Sequence, residues 1–150
     1  MEKNLKNLLL KDLCARLPYG VKVKYFNSED NREDIDVVEG IELYGKDAEF
    51  SVFQYGLKID GFKPYLRPML SMTEEELNEC VCQSGIKDIE CPNWQDIPKE
   101  KQFEARLNHA IAVFLTDSNN VDWLNAHHFD YRGLIPMGLA LPATKDMYNI

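Results

Sequence analysis

The residues best equipped for chemistry lie together in the run Asp122-Trp123-Leu124-Asn125-Ala126-His127-His128-Phe129-Asp130-Tyr131-Arg132-Gly133. It holds two of the three histidines, three aromatics, two carboxylates and an arginine. Three chemistries suit such a mixture. Asp122, His127, His128 and Asp130 can supply an acid and a base, with Arg132 or Arg67 holding an anion. No nucleophile elbow, Gly-rich phosphate loop or other catalytic signature accompanies them, so a non-enzymatic protein is the first expectation. Metal binding is the second chemistry. Adjacent helical positions point about 100° apart, so His127 and His128 cannot easily hold one ion together. Cys80, Cys82 and Cys91 lack the paired zinc spacing, and buried free thiols are expected instead. No metal and no cofactor is predicted.

Binding is the third. Tyr65, Arg67, Trp123, Tyr131 and Arg132 are types enriched at interface hot spots. With His127, His128 and Asp130 they form the predicted binding surface. The competing reading is structural: each aromatic buries its body and satisfies a polar tip, and one histidine ring packs on Trp123.

These residues need a frame. A chain of 150 residues suits one globular domain over 1–150. The hydrophobic share of 45% argues against disorder. No apolar run approaches the roughly 18 residues of a membrane span. Leu8-Leu9-Leu10 is too short for a secretory segment, and the thiols suit a reducing compartment, so a cytoplasmic protein is expected. The net charge of −8 disfavours nucleic acid as a partner. Residues 29–50 hold nine acids against two bases, and 73–100 hold eight against two, so an acidic mimic of nucleic acid stays open as an alternative. An enzyme using His127 or His128 with Asp122 or Asp130 is the other.

Along the chain, Leu5, Leu8, Leu9, Leu13 and Leu17 mark a helix over 4–17, stopped by Pro18-Tyr19-Gly20. Val21, Val23 and Tyr25 alternate as a half-buried strand. Ile35–Tyr44 reads as a second strand, bent at Gly40, and Phe50–Ile59 as a third, with a hairpin turn at Gly45-Lys46-Asp47 between them. Three strands joined by short turns predict an antiparallel meander able to curve toward a small barrel. Pro64 and Pro68, four apart, exclude a regular helix or central strand between them. Thr73 and Glu76 form a capping box for a helix whose thin apolar face is Leu77 and Val81. Pro98 is placed to open a helix over 99–115, striped by Phe103, Leu107, Ala110, Ile111 and Phe114. Asn119 is placed as N-cap of a helix running to about Phe129. Gly133–Ala143 is apolar but broken by Pro136, Gly138 and Pro142, and predicts an extended strap. The strap is expected to lie on the aromatic helix, with Trp123 and Tyr131 as anchors and Arg132 and Asp130 fixing the turn at Gly133. The fold class is α+β.

Three stretches resemble one family: Leu10-Lys11-Asp12-Leu13-Cys14-Ala15-Arg16-Leu17-Pro18-Tyr19-Gly20-Val21, then Lys63-Pro64-Tyr65-Leu66-Arg67-Pro68-Met69 with Ser71-Met72-Thr73-Glu74-Glu75-Glu76, and Asp122 through Ile135. The family is a group of short uncharacterised proteins from phage and mobile-element regions of gut bacteria. Leu70 stands where that family carries a serine. The resemblance implies a phage-associated context and no particular activity. Together these readings predict a small cytoplasmic binding or regulatory protein acting through a protein partner.

The stripe on 99–115 is testable. Phe114→Ala is expected to destabilise by about 3–5 kcal/mol, read from the denaturant midpoint. A cost below about 1 kcal/mol, as at ordinary surface sites, shows that the helix faces are misassigned.

Overall fold

Leucine periodicity and a buried ion pair shape the first helix, α1 (Lys3–Arg16). Leu9 and Leu13 are fully buried, and Asp12 and Arg16 are buried beside them. Leu17–Tyr19 makes one 3-10 turn, and Gly20 ends it with φ +69° and an N–H donated to the Leu17 carbonyl. That left-handed conformation suits glycine.

The fold is described from a computed structural model covering residues 2–44, 47–52, 55–83, 94–144 and 146–148, without the side chains at 42–44, 47–52, 55–58, 60, 83, 94 and 114. The expected turn at Gly45-Lys46 and the side chain of Phe114 lie outside the described residues, as does Cys91. The chain is α+β and forms two compact units. One comprises residues 1–67 and 132–150, the other 68–131.

In the first unit, β1 (Lys22–Asn27) and β2 (Arg32–Val37) make an antiparallel hairpin, with Lys22 opposite Val37 and Asn27 opposite Arg32. β6 (Lys63–Leu66) pairs antiparallel with β1 on its other side, and β7 (Leu141–Pro142) pairs parallel with β6. The sheet order is β2-β1-β6-β7. A second sheet, β3 (Gly40–Tyr44), β4 (Asp47–Val52) and β5 (Tyr55–Lys58), is an antiparallel meander in chain order. Neither sheet closes on itself. The expected strand over Ile35–Tyr44 is therefore two strands in different sheets. Val38 divides them: its N–H donates to the Val21 carbonyl and its side chain is buried. The expected strand over Phe50–Ile59 is likewise divided between β4 and β5.

Proline 64 also corrects the sequence reading, because it lies inside a strand that has neighbours on both sides. The neighbours pair at different residues. β1 meets Lys63 and Pro64, and β7 meets Tyr65 and Leu66. One residue beyond the Val23–Pro64 pair, a side chain continues the ladder. The Lys22 N–H donates to the Tyr148 hydroxyl at 2.9 Å, and that hydroxyl donates to the Tyr65 carbonyl at 2.8 Å. The Lys22 ammonium donates to the Met147 carbonyl and sits over the Tyr148 ring.

The core of this unit contains Leu9, Leu13, Val21, Val23, Tyr25, Phe62 and Leu66, together with Leu134, Leu139 and Ala140. The expected strap is extended only at Leu141–Pro142. Before it the chain turns, with the Leu139 and Ala140 N–H groups donating to the Leu134 carbonyl, and residues 136–138 are exposed. The strap's buried residues, Leu134, Leu139 and Ala140, pack with those of α1 and the sheet. Trp123, expected as its anchor, belongs to the core of the other unit.

That second unit packs α2 (Glu74–Gln83), α3 (Lys99–Phe114) and α4 (Ser118–Ala126) around Met72, Leu77, Cys80, Val81, Leu107, Ala110, Trp123, Leu124 and Phe129. The capping box is present: the Thr73 N–H donates to Glu76 Oε2 at 2.8 Å, and the Glu76 N–H to Thr73 Oγ1 at 3.2 Å. Pro98 is the residue before α3 and not its first. The cap of α4 is Asp117, whose side chain accepts from the Asn119 N–H, so Asn119 lies inside the helix. Cys80 is buried, and burial pushes its thiol up to about 12. Cys82 is exposed, against the expectation of a buried thiol, and Cys14 is exposed too.

Tyr148 gives a test of the bridged ladder. Tyr148→Phe leaves the Lys22 N–H and the Tyr65 carbonyl without that partner and is expected to cost about 1–3 kcal/mol. Burial pushes the phenol up to about 12, from an ordinary value near 10. A raised pKa favours the neutral form in the fold. Stability is therefore full below about pH 10 and falls as pH rises through about 12. Alkaline denaturation curves are expected to show that loss, and Tyr148→Phe to reduce it. Burial also raises Tyr25, so part of the loss remains.

Candidate binding surface

The predicted site residues divide between the two units. In the helical unit, Trp123 is buried on α4, stacked on His127 at 3.8 Å and on Phe129 at 5.9 Å between ring centroids. The helix ends at Ala126 and not near Phe129, which makes His127 its C-cap. His127 Nδ1 lies 2.9 Å from the Trp123 carbonyl and donates to it. His128 follows with φ +58°, a left-handed conformation, and is buried. Asp130 is buried, Asp122 is exposed, and the half-buried Tyr131 donates its hydroxyl to Asn125 Oδ1 at 3.0 Å. Asn120 is fully buried one turn before Trp123. Its amide and the Trp123 Nε1 have no hydrogen-bond partner among the described residues. Within this unit the stretch from Asp122 to Tyr131 is mostly packing: a stacked aromatic column closed by a hydrogen-bonded tyrosine.

In the sheet unit, Arg132 donates to Asp12 Oδ1 at 2.9 Å. Arg16 meets the same carboxylate through Nε at 2.8 Å and Nη2 at 3.0 Å. Arg132, expected to fix the turn at Gly133 with Asp130, reaches Asp12 on α1 through Nη1. A guanidinium has five donors and seeks a carboxylate, and the buried Asp12 offers one. Tyr65 and Arg67 are half-buried in the same unit. Among the described residues, no group of three His, Cys, Asp or Glu side chains converges to hold a metal ion.

The surface that sequence reasoning missed is one face of the four-stranded sheet. Along β1, Val23 and Tyr25 face the core, so Lys22, Lys24 and Phe26 face outward. Laterally paired residues share a face. The register therefore adds Glu33, Ile35 and Val37 from β2, Lys63 and Tyr65 from β6, and Leu141 from β7. Phe26 and Ile35 remain 53% and 52% exposed. β2 is inverted relative to an ordinary strand. Asp34 and Asp36 stand opposite the core-facing Tyr25 and Val23, and the apolar Ile35 and Val37 face out. The two aspartates add to burial in holding the Tyr25 phenol above its ordinary value. A cavity of about 220 Å³ opens on this face, lined by Lys24, Tyr25, Phe26, Glu33, Gly61, Lys63 and Leu141. Lys24 forms an ion pair with Glu33, whose hydrogen bond holds the ammonium above its usual value. The alternation of acids and aliphatics over 32–37 is visible in the sequence, but only the pairing with β1 says which side is inward.

No protein-family model, curated protein or solved structure matches the chain.

The column is testable by paired truncations. Trp123→Ala is expected to cost about 3–5 kcal/mol. His127→Ala removes one stacked, half-buried ring and is expected to cost about 0.5–1.5 kcal/mol. Thermal melts of both variants check the order, and the reverse order places the histidine, not the indole, at the centre of the packing.

Proposed function

We propose that this chain is a small cytoplasmic binding or regulatory protein of phage-associated context, acting through a protein partner that docks on the outer face of the four-stranded sheet. The observation that carries the reading is the inversion of β2. A strand that turns aspartates toward its own core and Ile35 and Val37 outward leaves apolar area in water. Covering that area on association recovers roughly 25 cal/mol per Å². Phe26, Ile35 and Tyr65 supply the aromatic and aliphatic centre that interfaces favour. The phage-associated context rests on the resemblance of the three sequence blocks alone. No helix among the described residues is long and apolar enough to cross a membrane.

The double variant Phe26→Ser with Ile35→Ser tests the face. Both side chains are exposed, so the melting temperature is expected to change little. A partner crosslinked to the native chain in host lysate is expected to be lost from this variant. It is expected to be retained by Leu115→Ser, at an exposed leucine of the helical unit. Equal capture by the double variant and the native chain overturns the proposal.

A further inference from the structure

The cavity on the sheet face has a charge pattern that selects what enters it. The register sets Lys24 directly opposite Lys63 across β1 and β6. Like charges at directly opposed positions repel. Glu33 neutralises one of them, through Lys24. Lys63 is exposed and has no ion-pair partner among the described residues. Two ammonium groups and one carboxylate leave a single positive charge at the mouth of the cavity, in a chain whose net charge is −8. The walls are apolar: Phe26 on one side and Leu141 on the other.

We infer that this cavity receives a carboxylate side chain of an extended acidic segment in the partner, seated between Lys24 and Lys63. An apolar side chain two residues along the segment packs on Phe26. The inference rests on the sheet face being the docking surface and adds the chemistry of what docks there. Its geometry follows from the strand period. Lys24 and Phe26 are two residues apart on β1 and point the same way. An extended peptide repeats its same-side groups at the same spacing, about 6.6 Å. An acid and an apolar residue two positions apart therefore match the lysine pair and the phenylalanine at once. Charge decides between anions. One net positive charge suits a single carboxylate. A nucleic-acid backbone brings a negative charge with every phosphate, more than the one net positive charge at this cavity offsets.

The test titrates the full chain, labelled with nitrogen-15, with a hexapeptide of alternating glutamate and leucine, blocked at both ends. Saturable amide shifts at Lys24, Phe26 and Lys63 are expected. Lys63→Gln is expected to weaken binding about fivefold, the size of one exposed ion pair. Replacing glutamate by glutamine in the peptide is expected to weaken it at least as much. Far-UV circular dichroism checks that the variant is folded. Absence of shifts at millimolar peptide, or shifts indifferent to both changes, overturns the inference. Tighter binding of inorganic phosphate or oligothymidylate at the same amides also overturns it. Partner capture separates this inference from the one beneath it. If Phe26→Ser with Ile35→Ser loses the partner while Lys63→Glu keeps it, the face docks a partner but the carboxylate seat is wrong. If neither variant loses the partner, both readings fall.

Discussion

The sheet unit depends on a single buried carboxylate. Asp12 is held from its own helix by Arg16, one turn on, and from the far end of the chain by Arg132. Two guanidinium groups on one carboxylate satisfy the acid fully. Buried ion clusters add little net stability over an apolar core of the same volume, but removing one member costs about 3–5 kcal/mol, because it strands the others. The network therefore acts as a constraint on geometry. Arg132 ties the start of the strap to α1, and Leu134, Leu139 and Ala140 beyond it belong to the core.

Tyr148 finishes what Asp12 begins. A proline in a strand between two others removes a donor from the ladder. The sheet accommodates Pro64 by pairing β6 with β1 on one half and with β7 on the other. The Tyr148 hydroxyl then fills the next rung, taking the Lys22 N–H and supplying the Tyr65 carbonyl. Both devices use residues from the end of the chain to complete structure begun near its start. The outer face of the sheet inherits its order from them, since Lys22 and Tyr65 are part of that face.

Local signals in the sequence were legible. Helix α1, the first strand, the capping box at Thr73 and Glu76, and the helix over 99–114 all follow from spacing and cap chemistry. The α+β class followed from the same signals. Pairing was not legible. The bend read at Gly40 falls where β3 begins, but nothing local assigns the two parts to different sheets; the Val38 N–H does so by bonding to Val21, a long-range choice. Pro64 read as a barrier because sequence cannot show a tyrosine arriving from 83 residues away to bridge its neighbour. The exposure of the candidate site residues was not legible for a related reason. Composition drew attention to Trp123, His128 and Asp130, which are buried. The exposed face is built from residues unremarkable one by one, and only register unites Lys24, Phe26, Ile35 and Lys63.

The sheet unit is discontinuous in sequence, while the helical unit is one uninterrupted segment. On the ribosome this fixes an order of events. The segment that carries Arg132, Leu139 and Tyr148 leaves the exit tunnel after every residue of the helical unit. Until then Asp12 on α1 has Arg16 but not Arg132, and the rung beside Pro64 is unfilled. The helical unit, with its local contacts, has all its residues available first. The nascent chain thus carries an open sheet with unpaired strand backbone through most of its synthesis. The inward aspartates of β2, a recognised guard against edge-to-edge association, protect that interval as well as the finished protein.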